Sequence, residues 1–197
     1  IFHRFYDVIY KLDRTVGDLA FADDIALLES DNERAQRQLD ALTREASTVG
    51  LVINATKTEQ LRLNIPDEPT PPNLTVDDKP IQIVENFKYL GSFVADTDKD
   101  INNRIALTWS AFDKLKPILA SRSNKPSIKI KIRLFNAACT SILLYGCETW
   151  LLNEKQLNKL DVFVRTCYRI MLAIRQSEAH MTNKELYKIT DKDLSHA

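Results

Sequence analysis

The chain has 197 residues, with 27 Lys or Arg against 27 Asp or Glu, and 44% of its residues are hydrophobic. This is enough apolar material for the core of one or two domains. No segment approaches the roughly 18 apolar residues of a membrane-spanning helix, and no signal peptide is visible. The three cysteines, Cys139, Cys147 and Cys167, show no metal-binding spacing and predict reduced, mostly buried thiols in an intracellular protein.

The net charge of zero conceals an uneven distribution of charge along the chain. Residues 67–100 contain eight acidic residues against three lysines. Residues 114–147 contain no acidic residue and seven basic ones: Lys114, Lys116, Arg122, Lys125, Lys129, Lys131 and Arg133. The overall charge therefore neither favours nor excludes a polyanionic partner, and the distribution carries more information than the sum.

The first predicted element is a β-hairpin in the decapeptide LAFADDIALL, Leu19–Leu28. Two four-residue apolar arms flank Asp23 and Asp24, which we expect at the tip of the hairpin. Next, Ser30–Glu33 predicts a capping box at the start of a helix. Apolar residues at alternating spacings of four and three predict one helix face that ends before Gly50: Ala35, Leu39, Leu42, Ala46 and Val49.

Short strands are predicted to follow this helix. The segments with strand character are Leu51–Asn54, Glu59–Leu63, Ile81–Val84 and Phe87–Val94, with a turn over residues 55–58 and a bulge or turn at Gly91. After Asp96 the pattern becomes helical. We predict one helix through Ile101, Ile105, Trp109, Phe112 and Leu115 that ends at Pro117.

Two more long helices are predicted over Ile128–Tyr145 and Leu157–Ile174, and Thr182–Glu185 predicts a capping box that opens a short last helix. The predicted fold class is α+β. Antiparallel strands with a helix make up the first half of the chain, an all-helical region makes up the second, and the boundary lies near residue 96.

Two adjacent carboxylates in an apolar hairpin have two possible explanations. In the first, Asp23 and Asp24 form a solvated turn. In the second, the hairpin aims them at a divalent cation such as Mg²⁺, which takes one or two protein carboxylates and completes its coordination with water and phosphate oxygens. The carboxylate pair alone leaves both explanations open.

The order of several motifs resembles the reverse transcriptases of non-LTR (LINE-type) retrotransposons over nearly the whole chain. FADD at Phe21–Asp24 resembles the catalytic hairpin of that family, and VGLVINATKTE at Val49–Glu59 resembles the element that follows it. FKYLGSFV at Phe87–Val94 resembles the primer-grip hairpin. Residues 133–150 and TNKELY at Thr182–Tyr187 resemble the helical region after the palm.

This resemblance implies residue roles and partners. Asp23 and Asp24 would bind Mg²⁺, or Mn²⁺ in its place, at the polymerase centre, and Lys57 would act as a catalytic residue near the phosphates of the incoming dNTP. The DNA primer would be held by Phe87, Lys88, Tyr89, Leu90 and Gly91. The RNA–DNA hybrid of RNA template and DNA primer would contact the basic residues of segment 114–147 through its backbone. Retrotransposon proteins of this kind act in the nucleus or the cytoplasm.

The sequence departs from the family pattern at its start. The family carries a further metal-binding aspartate on an upstream strand, and neither that strand nor the fingers is recognisable here. Residues 1–95 would therefore be the C-terminal part of a palm, and residues 96–197 a helical thumb and post-thumb region. The partners would include the upstream fingers and palm and, where the full-length protein has one, an endonuclease domain.

Two functions follow from these observations. The first is a fragment of an RNA-directed DNA polymerase that transfers nucleotides from dNTP to a primer 3′-hydroxyl by a two-metal mechanism and is inactive when isolated. The second is a non-catalytic retroelement relic that at most binds nucleic acid through its basic helical region.

Overall fold

A computed structural model describes residues 17–63, 71–122, 126–174 and 181–192. Contacts divide the chain into two compact units, Ile1–Ala95 and Asp96–Ala197. Among the described residues, small sheets and a helix make up the first unit and helices make up the second, which confirms the α+β class. The role predicted for Lys125 lies outside the described residues.

The predicted hairpin is present as strands β1 (Asp18–Phe21) and β2 (Asp24–Leu27), paired antiparallel with Phe21 opposite Asp24. Its turn consists of Ala22 and Asp23, so the tip lies one residue earlier than predicted. Ala22 is left-handed at φ +54°. Two-residue hairpin turns require this conformation and usually place Gly there.

Helix α1 (Asn32–Thr48) confirms the predicted helix, but the predicted cap is wrong by one residue. The Asp31 carboxylate accepts a hydrogen bond from the Arg34 N–H at 2.9 Å and replaces Ser30 as the N-cap. The helix ends as predicted. Gly50 has φ +79°, and the N–H groups of residues 50 and 51 donate to the carbonyls of Ser47 and Ala46.

The strands after α1 are shorter than predicted. Strand β3 (Glu59–Leu61) pairs in parallel with β6 (Gln82–Val84), although only antiparallel pairs were expected. Residues 51–54 are not a strand. A hairpin of β4 (Thr75–Val76) and β5 (Lys79–Pro80) was not predicted, because its turn is built from two left-handed aspartates instead of Gly. The core of this unit contains Leu39, Leu74, Val76 and Ile81.

The last hairpin of the first unit joins β7 (Phe87–Tyr89) to β8 (Ser92–Val94). Its turn is Leu90 and Gly91, at φ +47° and +86°. Positive φ at both central residues matches the right-handed twist of the strands. The predicted turn at Gly91 is therefore confirmed.

The second unit begins with helix α2 (Thr97–Leu119), whose N-cap Asp96 accepts a hydrogen bond from the Lys99 N–H at 2.8 Å. The predicted end at Pro117 is wrong by two residues. Pro117 lies in the last turn, where proline removes one hydrogen bond without preventing the helix from continuing to Leu119.

The predicted helix over residues 128–145 is interrupted. Helix α3 (Ile128–Phe135) continues through a π-helical segment (Asn136–Thr140) into α4 (Ser141–Leu143), and a 3₁₀ turn follows at Cys147–Thr149. One extra residue per turn in the π-helical segment changes which side chains face inward afterwards.

Helix α5 (Glu154–Met171) begins three residues before the predicted start, because Asn153 and Gln156 form a capping box. Helix α6 (Asn183–Lys192) has the predicted box, in which the Thr182 N–H donates to Glu185 at 2.7 Å and the Glu185 N–H donates to the Thr182 hydroxyl. The core between these helices includes Phe112, Leu119, Ile132, Phe135, Cys139, Leu143, Phe163, Cys167, Tyr168, Met171 and Leu186.

Candidate functional site

The β1–β2 hairpin presents both candidate carboxylates to solvent. Asp23 is the second residue of the turn, and Asp24 is the first residue of β2, paired across the hairpin with Phe21. Both aspartates are exposed, and 63% of Phe21 is exposed. The tip of the hairpin therefore carries two adjacent negative charges beside an uncovered aromatic ring.

One contact closes the base of this hairpin, and two others join it to the rest of the first unit. Leu27 packs against the core of the first unit, and the Leu28 N–H donates to the Gly17 carbonyl at 2.8 Å. The Tyr89 hydroxyl donates to the Leu19 carbonyl at 3.4 Å. This last hydrogen bond connects the two hairpins that were predicted to form the polymerase centre and the primer grip.

The donor set of Asp23 and Asp24 fits part of a magnesium site. Neither carboxylate forms an ion pair or a side-chain hydrogen bond with another described residue, so both retain their full capacity to accept a cation. Two carboxylate oxygen donors are the usual protein contribution to Mg²⁺ coordination. Within residues 17–63, 71–122, 126–174 and 181–192, no group of three or more His, Cys, Asp or Glu is placed to hold a metal ion.

Lys57 lies in the predicted turn, but the structure does not bring it into contact with the aspartates. The Asn54 carbonyl accepts hydrogen bonds from the N–H groups of Lys57 and Thr58, both at 3.0 Å, and the Asn54 side chain accepts one from the Thr56 N–H. The Lys57 side chain is exposed, and in the described structure it forms no ion pair with Asp23 or Asp24. Its catalytic role stays a prediction.

The β7–β8 hairpin has two different faces. Phe87 and Tyr89 lie half-buried on one face with their rings stacked at 6.5 Å between centroids. On the other face, the Lys88 ammonium lies 5.7 Å from the centre of the Phe93 ring. Leu90 and Gly91 form the tip. The positive φ of Gly91 explains the glycine without requiring a close approach to nucleic acid.

The basic residues of the helical unit are not equivalent. Lys114, Lys116, Arg122 and Arg133 are exposed, and Lys129 is half-buried. The Lys116 ammonium lies 3.5 Å from the Asp113 carboxylate, and both side chains are more than half exposed, so this pair contributes little to stability.

Lys131 differs from the other described basic residues of this stretch because it is buried. Only 6% of it is exposed, and its ammonium donates to the Ser121 carbonyl at 2.5 Å. It occupies the buried face of α3 together with Ile128, Ile132 and Phe135, at helical spacings of three, four and seven from residue 128. The stem of Lys131 therefore packs in the helical unit, and its ammonium binds the segment just after α2.

Sequence reasoning missed two features of this site. One is the left-handed backbone of Ala22. It would have been expected if the turn had been predicted at residues 22 and 23 instead of 23 and 24. The other is the Tyr89–Leu19 hydrogen bond, which joins residues 70 positions apart and leaves no local signal in the sequence.

The groups with shifted pKa values among the described residues belong to the helical unit. Burial raises the pKa of the Cys167 thiol to about 12, with a smaller contribution from nearby Cys139, and burial also raises the pKa of Cys139. Burial and the hydrogen bond to Asp161 raise the pKa of Tyr187 to about 12. These thiols are protonated and unreactive at neutral pH.

The chain is similar to transposon-derived protein F52C9.6 of Caenorhabditis elegans, described as uncharacterized, with 32% identity over 150 residues. The similarity covers 72% of this chain and 51% of that protein, so the chain spans about half the length of the curated relative it matches. No protein-family model and no solved structure matches the chain. The similarity links the chain to a transposon.

Among the described residues, no helix is both long and apolar enough to cross a membrane.

Proposed function

We propose that this chain is the C-terminal half of the palm and the thumb of an RNA-directed DNA polymerase from a non-LTR retrotransposon. The observation that carries this proposal is the exposed Phe21–Asp24 hairpin tip, where two adjacent carboxylates form no ion pair with any cation of the described residues. The transposon-derived relative supports the same origin.

The proposed reaction is attack of a primer 3′-hydroxyl on the α-phosphate of a dNTP with release of pyrophosphate. Asp23 and Asp24 would hold Mg²⁺, which when bound stabilises the charge on the reacting oxygens. The contacts at the base of the hairpin would position the two carboxylates, and the hydrogen bond from the Tyr89 hydroxyl to the Leu19 carbonyl joins β1 to the β7–β8 hairpin, the proposed primer grip. Lys57 would add positive charge near the phosphates of the nucleotide.

The second candidate is a non-catalytic retroelement relic that only binds nucleic acid. The polymerase candidate places its third metal-binding carboxylate on an upstream strand, so the lack of a third such side chain beside Asp23 and Asp24 among the described residues is compatible with both candidates. The two candidates differ in whether the hairpin carboxylates act in catalysis, and this can be measured.

The proposal predicts that Asp23→Asn abolishes primer extension in a protein that extends this chain upstream through the rest of the palm and the fingers. We expect a loss of about 10³-fold or more, because the change removes a carboxylate charge where transition-state charge develops. Affinity for an RNA–DNA hybrid should stay within about twofold. Asp18→Asn, an identical change at an exposed residue at the other end of β1, is the matched control and should retain activity.

A second measurement uses the chain itself. Mn²⁺ should broaden the amide NMR signals of residues 22–25, and Asp23→Asn should remove this broadening while Asp18→Asn does not. The relic interpretation is supported instead if the extended protein shows no primer extension at all, and equal extension with and without the Asp23 carboxylate would contradict the role proposed for Asp23.

A further inference from the structure

A cleft of about 300 Å³ lies in the helical unit where the segment after α2, the start of α3 and the end of α5 meet. Its lining includes Arg122, Ser127, Lys131 and Leu172. Residues 114–147 and 162–174, which supply the whole lining, contain no Asp or Glu. The walls of the cleft therefore carry positive charge that no carboxylate of these segments neutralises.

The two cations of the cleft differ in burial. Arg122 is exposed at the rim, and its guanidinium has no hydrogen-bond or ion-pair partner among the described residues. Lys131 lines the interior, and in the part of the chain that the structure describes its ammonium contacts one acceptor, the neutral Ser121 carbonyl. A buried charge without a counter-charge is costly, and an anion in the cleft would supply that counter-charge.

The start of α3 adds hydrogen-bond donors to the same cleft. The first hydrogen bond of the helix runs from the Lys131 N–H to the Ser127 carbonyl at 3.1 Å, so the N–H groups of residues 128–130 precede it. The Ser127 side chain does not cap them. Near the lining residues at the end of α5, the carbonyls of Arg169 and Ile170 accept hydrogen bonds from the N–H groups of Ile174 and Ala173, so these carbonyls are not free to repel an anion.

We propose that this cleft binds a phosphate group, with Arg122 and Lys131 as its counter-charges and the first turn of α3 as its N–H donors. The phosphate has two possible sources, a nucleic-acid backbone and free phosphate. Only the first source rests on the proposed polymerase function.

The experiment is an NMR titration of the whole chain with inorganic phosphate at constant ionic strength. Phosphate should shift the amide signals of residues 127–131. Arg122→Gln should weaken this binding about tenfold, the loss expected for one charge-assisted hydrogen bond. Lys155→Gln removes one positive charge from an exposed residue in the first turn of α5, outside the cleft, and should leave phosphate affinity unchanged. Circular dichroism checks that both variants fold.

A second titration distinguishes the sources. An RNA–DNA hybrid without terminal phosphates should displace inorganic phosphate from the same amides if the cleft holds a backbone phosphate, and should leave it bound if the cleft takes free phosphate only. The proposal is overturned if phosphate shifts the signals of none of these amides. It is also overturned if Arg122→Gln and Lys155→Gln weaken phosphate binding equally. Because no metal is needed and Asp23→Asn should not change phosphate affinity, a failure here leaves the polymerase proposal standing.

Discussion

Seven basic residues lie between Lys114 and Cys147 without an acidic residue among them, and the fold uses them in different ways. Lys131 follows Ile128 by three residues and precedes Phe135 by four, so it falls on the apolar face of α3. Its long aliphatic stem can pack there while its ammonium reaches the Ser121 carbonyl. Counting charges along the sequence does not reveal which of these residues is buried, because that depends on the helix face on which each residue lies.

We predict that Lys131→Gln lowers the free energy of unfolding by about 2 kcal/mol, because a shorter amide leaves the Ser121 carbonyl without its buried lysine donor. Lys114→Gln, the same change at an exposed residue, should shift it by less than about 0.5 kcal/mol. Urea unfolding followed by circular dichroism measures both. Equal effects of the two substitutions would show that the Lys131–Ser121 contact does not stabilise the fold.

The buried thiol of Cys167 predicts a loss of stability at alkaline pH. Its pKa rises from the ordinary value of 9.0 to about 12 in the folded chain, so the unfolded chain releases this proton first. The stabilisation is complete below pH 9 and is lost progressively as the pH rises to about 12. Urea unfolding at about pH 8 and about pH 10.5 should show a smaller decline for Cys167→Ala than for the wild type. An equal decline in both proteins would assign the effect to other groups.

At the scale of elements, helix and hairpin ends depend on left-handed residues that are often not glycine. Ala22, Leu90 and Ala173 all have positive φ, at 54°, 47° and 54°. For a residue with a Cβ atom this conformation costs roughly 1–2 kcal/mol. The strain of Ala22 and Leu90 lies at the tips of the two hairpins proposed to form the polymerase centre, and functional sites often contain such strain.

Two helix ends provide a matched pair of substitutions. After α1, Gly50 is left-handed and a Cβ atom there would meet nothing within 4 Å, so only its φ of +79° opposes a side chain. After α5, Ala173 occupies the same cap position at φ +54° with the same two hydrogen bonds. We predict that Gly50→Ala destabilises the chain by about 1 kcal/mol and that Ala173→Gly stabilises it by about 0.5–1 kcal/mol. Thermal unfolding measures both changes. Changes of the same sign would contradict the conclusion that positive φ favours glycine at both positions.

At the scale of the whole molecule, the two units differ in the size of their cores. Among the described residues, four buried side chains form the core of the first unit and eleven form the core of the second. Large apolar side chains of the first unit remain exposed, including Phe21, Val49, Leu51 and Val52. In the part of the chain that the structure describes, the helical unit therefore has the larger apolar core.

We predict that the chain binds an RNA–DNA hybrid weakly, without sequence preference and with steep salt dependence. Replacing Lys114, Arg122 and Lys129 together with Gln should flatten the slope of log affinity against log salt by about 0.9 for each phosphate that the variant no longer neutralises. Lys131 is left unchanged because it is buried. The control replaces three exposed lysines elsewhere in the unit, Lys155, Lys184 and Lys188. Fluorescence anisotropy at several salt concentrations should show no flattening in the control, and equal slopes in both variants would mean that the basic segment has no specific role.

The sequence alone determined the hairpin around FADD, the helix after it, the long helix that follows Asp96 and the capping box at Thr182–Glu185. These features depend on residues within a few positions of one another, so their patterns are visible in one dimension. It also showed the resemblance to reverse transcriptases, because ordered motifs do not require coordinates.

The tertiary structure decided the rest. The parallel pairing of β3 with β6, the Tyr89–Leu19 hydrogen bond and the burial of Lys131 against Ser121 all join segments that are separated along the chain. Such contacts form when the apolar faces of whole elements pack, and packing selects among local conformations of nearly equal energy. For the same reason, only the fold could show that Lys131 is buried while Lys114, Lys116, Arg122 and Arg133 of the same basic segment are exposed.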